Sequence, residues 1–345
     1  MTIRIVPDTE VITIQAKALT IDELVARYAV SNQADGKSTR TIAWYTDIMT
    51  QFLRYLKANG YQCTLSTFNI DIIRGYILFL RGRPRFQGHP FISQKGDLLS
   101  PKTVQCHVRV LKAFSTWLYE EEYTNVNRLK NLRLPKATIR IMEPLTSEEI
   151  RKIMSSINRK SYSGERNHAV LVTLLDSGLR ASELASITLS NLNLKDGYIR
   201  ITGKGGKERI VPIGKFVQME LLHYIEKIRP QVYGDDYNNL FLAQSGRLMT
   251  PNTVKMIFSK LARSSGVRRL HAHLCRHTFA VNYLLNGGDI FSLREILGHT
   301  TLEMVNHYLH FTSSQITEQH HKYSPMDKLQ GQTKVGAIIQ ATKTP

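Results

Sequence analysis

Four separated segments of this 345-residue chain carry residue types able to work on a phosphodiester. They are DSGLRASELASITL (176 to 189), TGKGGKERIVPI (202 to 213), HLCRHTFAVNYLLNGG (273 to 288) and LGHTTLEMVNHYLH (297 to 310). A phosphodiester under in-line attack gathers negative charge on its nonbridging oxygens. Planar guanidiniums such as those of Arg180 and Arg276 can clamp such oxygens through paired hydrogen bonds and stay charged at any working pH. Preorganised donors of this kind are each worth on the order of 3 kcal/mol, so neutralising the charge requires no metal. A tyrosine hydroxyl can attack phosphorus and hold it as an ester that conserves the energy of the broken bond, and the released hydroxyl can reverse the step without a nucleotide cofactor.

Bringing such groups together requires a rigid frame, and the patterning describes one that is mainly α with a small antiparallel β-sheet. Residues 1–17 alternate Ile, Val and polar groups and read as an N-terminal extension. A helical stretch then runs from Leu19 towards Asn32. Tyr45, Ile48, Phe52, Tyr55 and Leu56 recur at helical spacing from about Thr39 until Asn59-Gly60 stops the second helix. Ile70, Ile73, Ile77 and Leu80 mark a third, and Val104, Val108, Leu111, Phe114 and Leu118 a fourth, with Ser100-Pro101 as its cap and first position. These define a helical domain over 18–128, with an Arg-, Pro- and Gly-rich exposed loop between its last two helices. Residues 129–144 lack apolar periodicity and read as an interdomain linker. A capping box, Thr146 with Glu149, opens a second domain over 145–325. Within it, Lys195-Asp196-Gly197 turns into a strand at 198–202, a turn around Lys204 follows, and the chain returns at 209–213. Residues 326–345 read as a flexible polar tail.

In order and spacing the four segments resemble the signature boxes of the tyrosine recombinase, or phage integrase, family, with Xer-like site-specific recombinases as the likeness. The helical first half resembles that family's core-binding domain in pattern and size. The resemblance implies a SAM-like core-binding domain and a catalytic domain forming a C-shaped clamp on double-stranded DNA. It makes Arg180, Lys204, His273, Arg276, His299 and Tyr308 the catalytic set, with Glu183 supporting. Tyr308 becomes the nucleophile that forms a 3′-phosphotyrosyl intermediate. Lys204, flanked by glycines on a turn, becomes the general acid for the departing 5′-oxygen. His273 is the better acceptor of the tyrosine proton and His299 a phosphate donor. Glu183, one helical turn after Arg180, orients basic groups. Singly, an arginine beside an acid reads as a structural ion pair and a late tyrosine as core; it is the ordered set that carries the reading.

Composition agrees. The formal charge is +18, from 46 Lys and Arg against 28 Asp and Glu, which attracts polyanions. Residues 81–140 hold twelve Lys and Arg against four acids, and Arg81, Arg83, Arg85, Lys102, Arg109 and Lys112 are the candidate DNA contacts. Three cysteines without a C-x-x-C pair fit a reducing cytosol, with nucleoid association when DNA is bound. No apolar run is long enough for a bilayer. His273 and His277 stand at the spacing of a metal pair but lack an H-E-x-x-H pattern, and the Gly-Lys-rich turn does not open a helix as a nucleotide-binding loop does. Neither a metal nor a nucleotide cofactor is expected. The family likeness further implies a homo-tetramer on paired DNA sites, acting in integration, excision or transposition. Resolution of chromosome or plasmid dimers, a type IB-like topoisomerase, and a noncatalytic DNA-binding protein are the alternatives.

Overall fold

The computed structural model describes residues 19–85, 87, 96–136, 142–203, 206–229, 238–243, 245–298 and 324. Lys204, His299, Tyr308, the N-terminal extension and the tail lie outside the described residues. The chain divides into two compact units that part between residues 140 and 141.

The first unit is a helical bundle: α1 (Ile21–Ala34), α2 (Thr39–Ala58), α3 (Ile70–Gly82) and α4 (Pro101–Glu120). Each start is fixed by a side chain that accepts an otherwise unpaired helical N–H: Thr20, Ser38, Asn69 and Ser100. Thr20 and Glu23 complete a capping box that the sequence reading did not single out. The five apolar positions expected on α4 are all buried. They meet Phe52, Leu56, Ile73 and Leu80 in one core, together with Phe68 and Tyr76. The two described ends of the α3–α4 loop pair through the Pro84 and Leu98 bridge, the Arg85 N–H donating to the Asp97 carbonyl at 2.7 Å.

Two expectations change here. The linker does not begin at residue 129, because Leu129 and Leu132 are buried in the bundle core. Their carbonyls, with that of Lys130, accept from the Lys112 ammonium at 2.8, 2.7 and 3.0 Å. An ammonium has three donors, so Lys112, expected among the phosphate contacts, secures its own chain instead. At the other end, residues 142–145 belong to the second unit. His277 Nε2 donates to the Met142 carbonyl, Arg269 donates to the carbonyls of Glu143 and Pro144 at 2.6 and 2.8 Å, and the Leu145 N–H donates to Thr278 Oγ1 at 2.9 Å.

The second unit runs α5 (Ser147–Ser155), α6 (Tyr162–Ser177), α7 (Ala181–Ser186), β1 (Leu192–Asn193), β2 (Tyr198–Thr202), β3 (Glu208–Pro212), α8 (Lys215–His223), α9 (Pro251–Ser264), α10 (Ala272–Leu285) and α11 (Ile290–Leu297). The strands form an antiparallel sheet in the order β1-β2-β3; the two-residue β1 is too short to show in the sequence pattern. Helix α6 is central, with Val170, Leu171 and Leu174 inside the core that also takes Ile199, Val211, Leu221, Phe258 and Leu274. Among the described residues no helix is long and apolar enough to cross a membrane.

The Lys112 contacts lead to a measurable expectation. Lys112→Met should lower the unfolding free energy in urea by roughly 1–3 kcal/mol, the cost of leaving carbonyls unpaired, while leaving DNA affinity near the parental value. A weakened affinity with unchanged stability would restore Lys112 to the phosphate contacts.

Candidate active site

Helix α6 ends because Gly178 adopts the left-handed conformation, at φ 62°. Only glycine fits: a Cβ there would lie 2.4 Å from the Phe279 ring and 2.8 Å from Leu297. The end of α6 is therefore pressed against α10 and the last residue of α11, and three of the four segments meet at this point. Two residues later Arg180 opens α7 with extended backbone, and Glu183 reaches back to it.

Glu183 is the electrostatic centre. Its Oε1 accepts from Arg180 Nη1 at 2.7 Å and from Arg209 Nη1 at 3.1 Å. Its Oε2 accepts from the Arg180 N–H and from Arg209 Nη2, both at 2.9 Å. Burial alone would raise the pKa of this carboxyl. The Arg209 hydrogen bonds, the Arg180 N–H and the attraction of Arg209 outweigh it and hold the pKa below the ordinary value of 4.5. Glu183 therefore orients basic groups, as its spacing predicts, but it orients two of them. Arg209 went unrecognised in the sequence; its signal was an arginine on the packed side of an alternating strand.

Arg276 is 2% exposed. Its Nη1 donates to the Gly178 carbonyl and its Nη2 to the Leu297 carbonyl, both at 2.7 Å. Two of the five guanidinium N–H groups thus join the ends of α6 and α11. The expected phosphate ligand is also a brace between segments. Arg209 Nε donates at 2.9 Å to the Ile296 carbonyl, so two successive carbonyls at the end of α11 are held by arginines from two different segments. Gly298 follows in the left-handed conformation, at φ 64°.

His273 is exposed on the first turn of α10. Partial shielding of its ring, then the cationic fields of Arg276, His271 and Arg180, push its pKa below the ordinary imidazole value. Neutral at physiological pH, it suits a proton acceptor. His271, which no motif singled out, stands two residues before it, with its Nδ1–H on the Arg269 carbonyl at 2.7 Å. Arg180, Glu183, His273 and Arg276 are thus brought together. Lys204 lies outside the described residues, but its turn is closed by the Gly203 N–H on the Lys207 carbonyl at 2.7 Å. His277, which shares the i, i+4 spacing of a metal pair with His273, donates to the Met142 carbonyl, and no cluster of three or more metal-binding side chains occurs among the described residues. In the first unit Arg81, Arg85, Lys102 and Arg109 are exposed, whereas Arg83 is half-buried, with Nη2 on the Gln87 carbonyl at 2.9 Å.

A model of the phage integrase family matches residues 143–315. The chain is similar to tyrosine recombinase XerD of Listeria monocytogenes serovar 1/2a, at 28% identity over 293 residues that take in 84% of this chain and 94% of the relative. It is similar to tyrosine recombinase XerC of Pelotomaculum thermopropionicum at 30% identity over 236 residues, or 67% of this chain and 77% of that one. Among solved structures it shares the fold of the Tn1549 transposon integrase in complex with a circular intermediate DNA, with a TM-score of 0.67 at 20% identity over 89% of this chain and 100% of the other.

Since the folded-state pKa of Glu183 is depressed, its ionised form stabilises the fold above the unfolded value of 4.5, and that contribution is lost as pH falls through the lower folded value. The stability difference between the parent and Glu183→Gln should be widest near neutrality and shrink progressively in acid below pH 4.5, as followed by urea unfolding at stepped pH. A difference that does not vary with pH would remove the ion-pair account.

Proposed function

This chain belongs to the phage integrase family, and from that membership we propose that it is a site-specific DNA recombinase that cuts and rejoins duplex DNA through Tyr308. The observation that carries the proposal is that Arg180, held by Glu183, and Arg276, held at the ends of α6 and α11, both bring their positive charge to bear on His273, which makes a cationic site for one phosphodiester.

In this reading the Tyr308 hydroxyl attacks phosphorus and its proton passes to neutral His273. The phosphorus–5′-oxygen bond breaks, Lys204 protonates the departing oxygen, and a 3′-phosphotyrosyl ester remains. Arg180 and Arg276, with His299, stabilise the charge that develops on the nonbridging oxygens. Attack by a 5′-hydroxyl on that ester restores the tyrosine and reseals DNA, so no external energy source is consumed. No metal or nucleotide enters any step. Exposed Arg81, Arg85, Lys102 and Arg109 in the first unit would neutralise backbone phosphates.

Strand exchange pairs two duplexes, for which we propose a homo-tetramer acting in the cytoplasm at the nucleoid. Integration, excision or transposition is the leading role. Resolution of chromosome or plasmid dimers is the second reading, and the similarity to XerD over 84% of this chain is the observation favouring it.

The test is direct. Duplexes that the protein retains from a random library are resynthesised with a nick beside the selected site, and the protein is assayed for a covalent adduct. A sequence-dependent adduct is expected from the parent. Tyr308→Phe should bind the same duplex within about threefold of the parental affinity and give no adduct; an adduct from that variant would reassign the nucleophile, and none from the parent would leave a DNA-binding protein only.

A further inference from the structure

Arg209 occupies a position that an apolar residue would ordinarily fill. The alternation of β3 turns Arg209 and Val211 to the packed side, opposite Ile201 and Ile199 of β2, while Ile210 is 57% exposed. An arginine placed there desolvates a charge, which is sustained only by close partners. It has three: the two oxygens of Glu183, at 3.1 and 2.9 Å, and the Ile296 carbonyl at 2.9 Å. The guanidinium also lies flat against the chain after α11, where a Cβ on Gly298 would come within 3.0 Å of its central carbon.

We propose that Arg209 is a positioning residue for DNA cleavage, one that holds Glu183, and through it Arg180, in phosphate-binding geometry while fixing the end of α11. The proposal rests on the recombinase reading. Its logic lies in how the carboxylate is shared. The side chains of Arg209 and Glu183 are 12% and 9% exposed, whereas that of Arg180 is 42% exposed. Burial locks the first two; Arg180, facing solvent, takes its orientation from Glu183. Arg209 satisfies one acceptor direction on each carboxylate oxygen, so Arg180 is needed at only one, through a single Nη1 contact. Its remaining side-chain donors are left to a phosphate. Without Arg209, Glu183 keeps Arg180 as its sole counter-ion and draws it into a two-point pair, turning a substrate clamp into an internal salt bridge. Lysine can replace it only in part, because one nitrogen cannot span both carboxylate oxygens and reach the Ile296 carbonyl in the same fixed fork.

The experiment uses the full chain and the nicked duplex selected above. Arg209→Met, Arg209→Lys, Glu183→Gln and the double variant Arg209→Met/Glu183→Gln are compared in adduct formation at saturating DNA, in duplex affinity and in pH profile. Arg209→Met should lower the adduct rate by about 10- to 100-fold with affinity held within about threefold, and Arg209→Lys should recover part of the loss. The double variant should be no more than about threefold slower than the slower single one, since both changes act through one route. In Arg209→Met the part of the acid limb set by Glu183 should move to higher pH, as Glu183 loses its main counter-charge, and the double variant should keep only the limb set by protonation of His273; a residue serving only stability leaves the profile unmoved. A folded Arg209→Met that cleaves within about threefold of the parent, or losses that multiply in the double variant, would overturn the proposal. If Arg209→Met does not fold, Arg209→Lys decides, a parental rate again overturning it. Absence of an adduct from the parent removes the recombinase reading and this inference together, whereas a parental adduct with an unaffected variant removes this inference alone.

Discussion

The catalytic unit depends on keeping one carboxylate ionised where water scarcely reaches it. Desolvation pushes Glu183 towards its neutral form, and a neutral Glu183 would leave two guanidiniums without a counter-charge. The structure resolves this by directing four donors at two oxygens, from a backbone N–H and two arginines. That solution reaches beyond the acid. It requires β3 to lie beside α7, where Arg209 meets Glu183, and it ties β3 to the end of α11 through the same arginine.

A second buried cation completes the frame. Arg276 is enclosed among the ends of α6 and α11, and its bonds to the Gly178 and Leu297 carbonyls act where helix dipoles leave partial negative charge. Helix C-termini are ready acceptors, so an arginine placed between two of them is held by backbone oxygens. The acid-held arginine and the carbonyl-held arginine thus converge on successive residues of one helix end, and the left-handed glycines at 178 and 298 give the close approach that makes this possible.

How much of this was legible in the sequence depended on whether the cause was local. The bundle helices were, because caps such as Ser100 and apolar spacing such as Val104, Val108 and Leu111 act within one or two turns. The likeness of four segments to a known family named Arg180, Glu183, His273 and Arg276 as a set, and the fold joins Arg180 to Glu183 and sets the charges of Arg180 and Arg276 against His273. What escaped was tertiary. Lys112 and Arg109 look alike as basic residues on one helix, yet the Lys112 ammonium is committed to three carbonyls from a segment that returns 17 to 20 residues later. Leu129 and Leu132 carry no periodicity of their own, so their burial, and with it the later start of the linker, follows only from the surface they land on. Arg209 sits in a run already read as a strand, and nothing in the run names the glutamate 26 residues away that needs it.

The braces between segments also bear on when the enzyme becomes able to cut. Their bonds join residues 26, 87, 98 and 21 positions apart along the chain, so each is a long loop closed late rather than a contact made as the chain emerges. A nascent or partly folded chain carries every one of these basic side chains but no assembled field. The potential to cut DNA in a recombinase built this way thereby waits on folding, a form of safety supplied by topology rather than by any inhibitor.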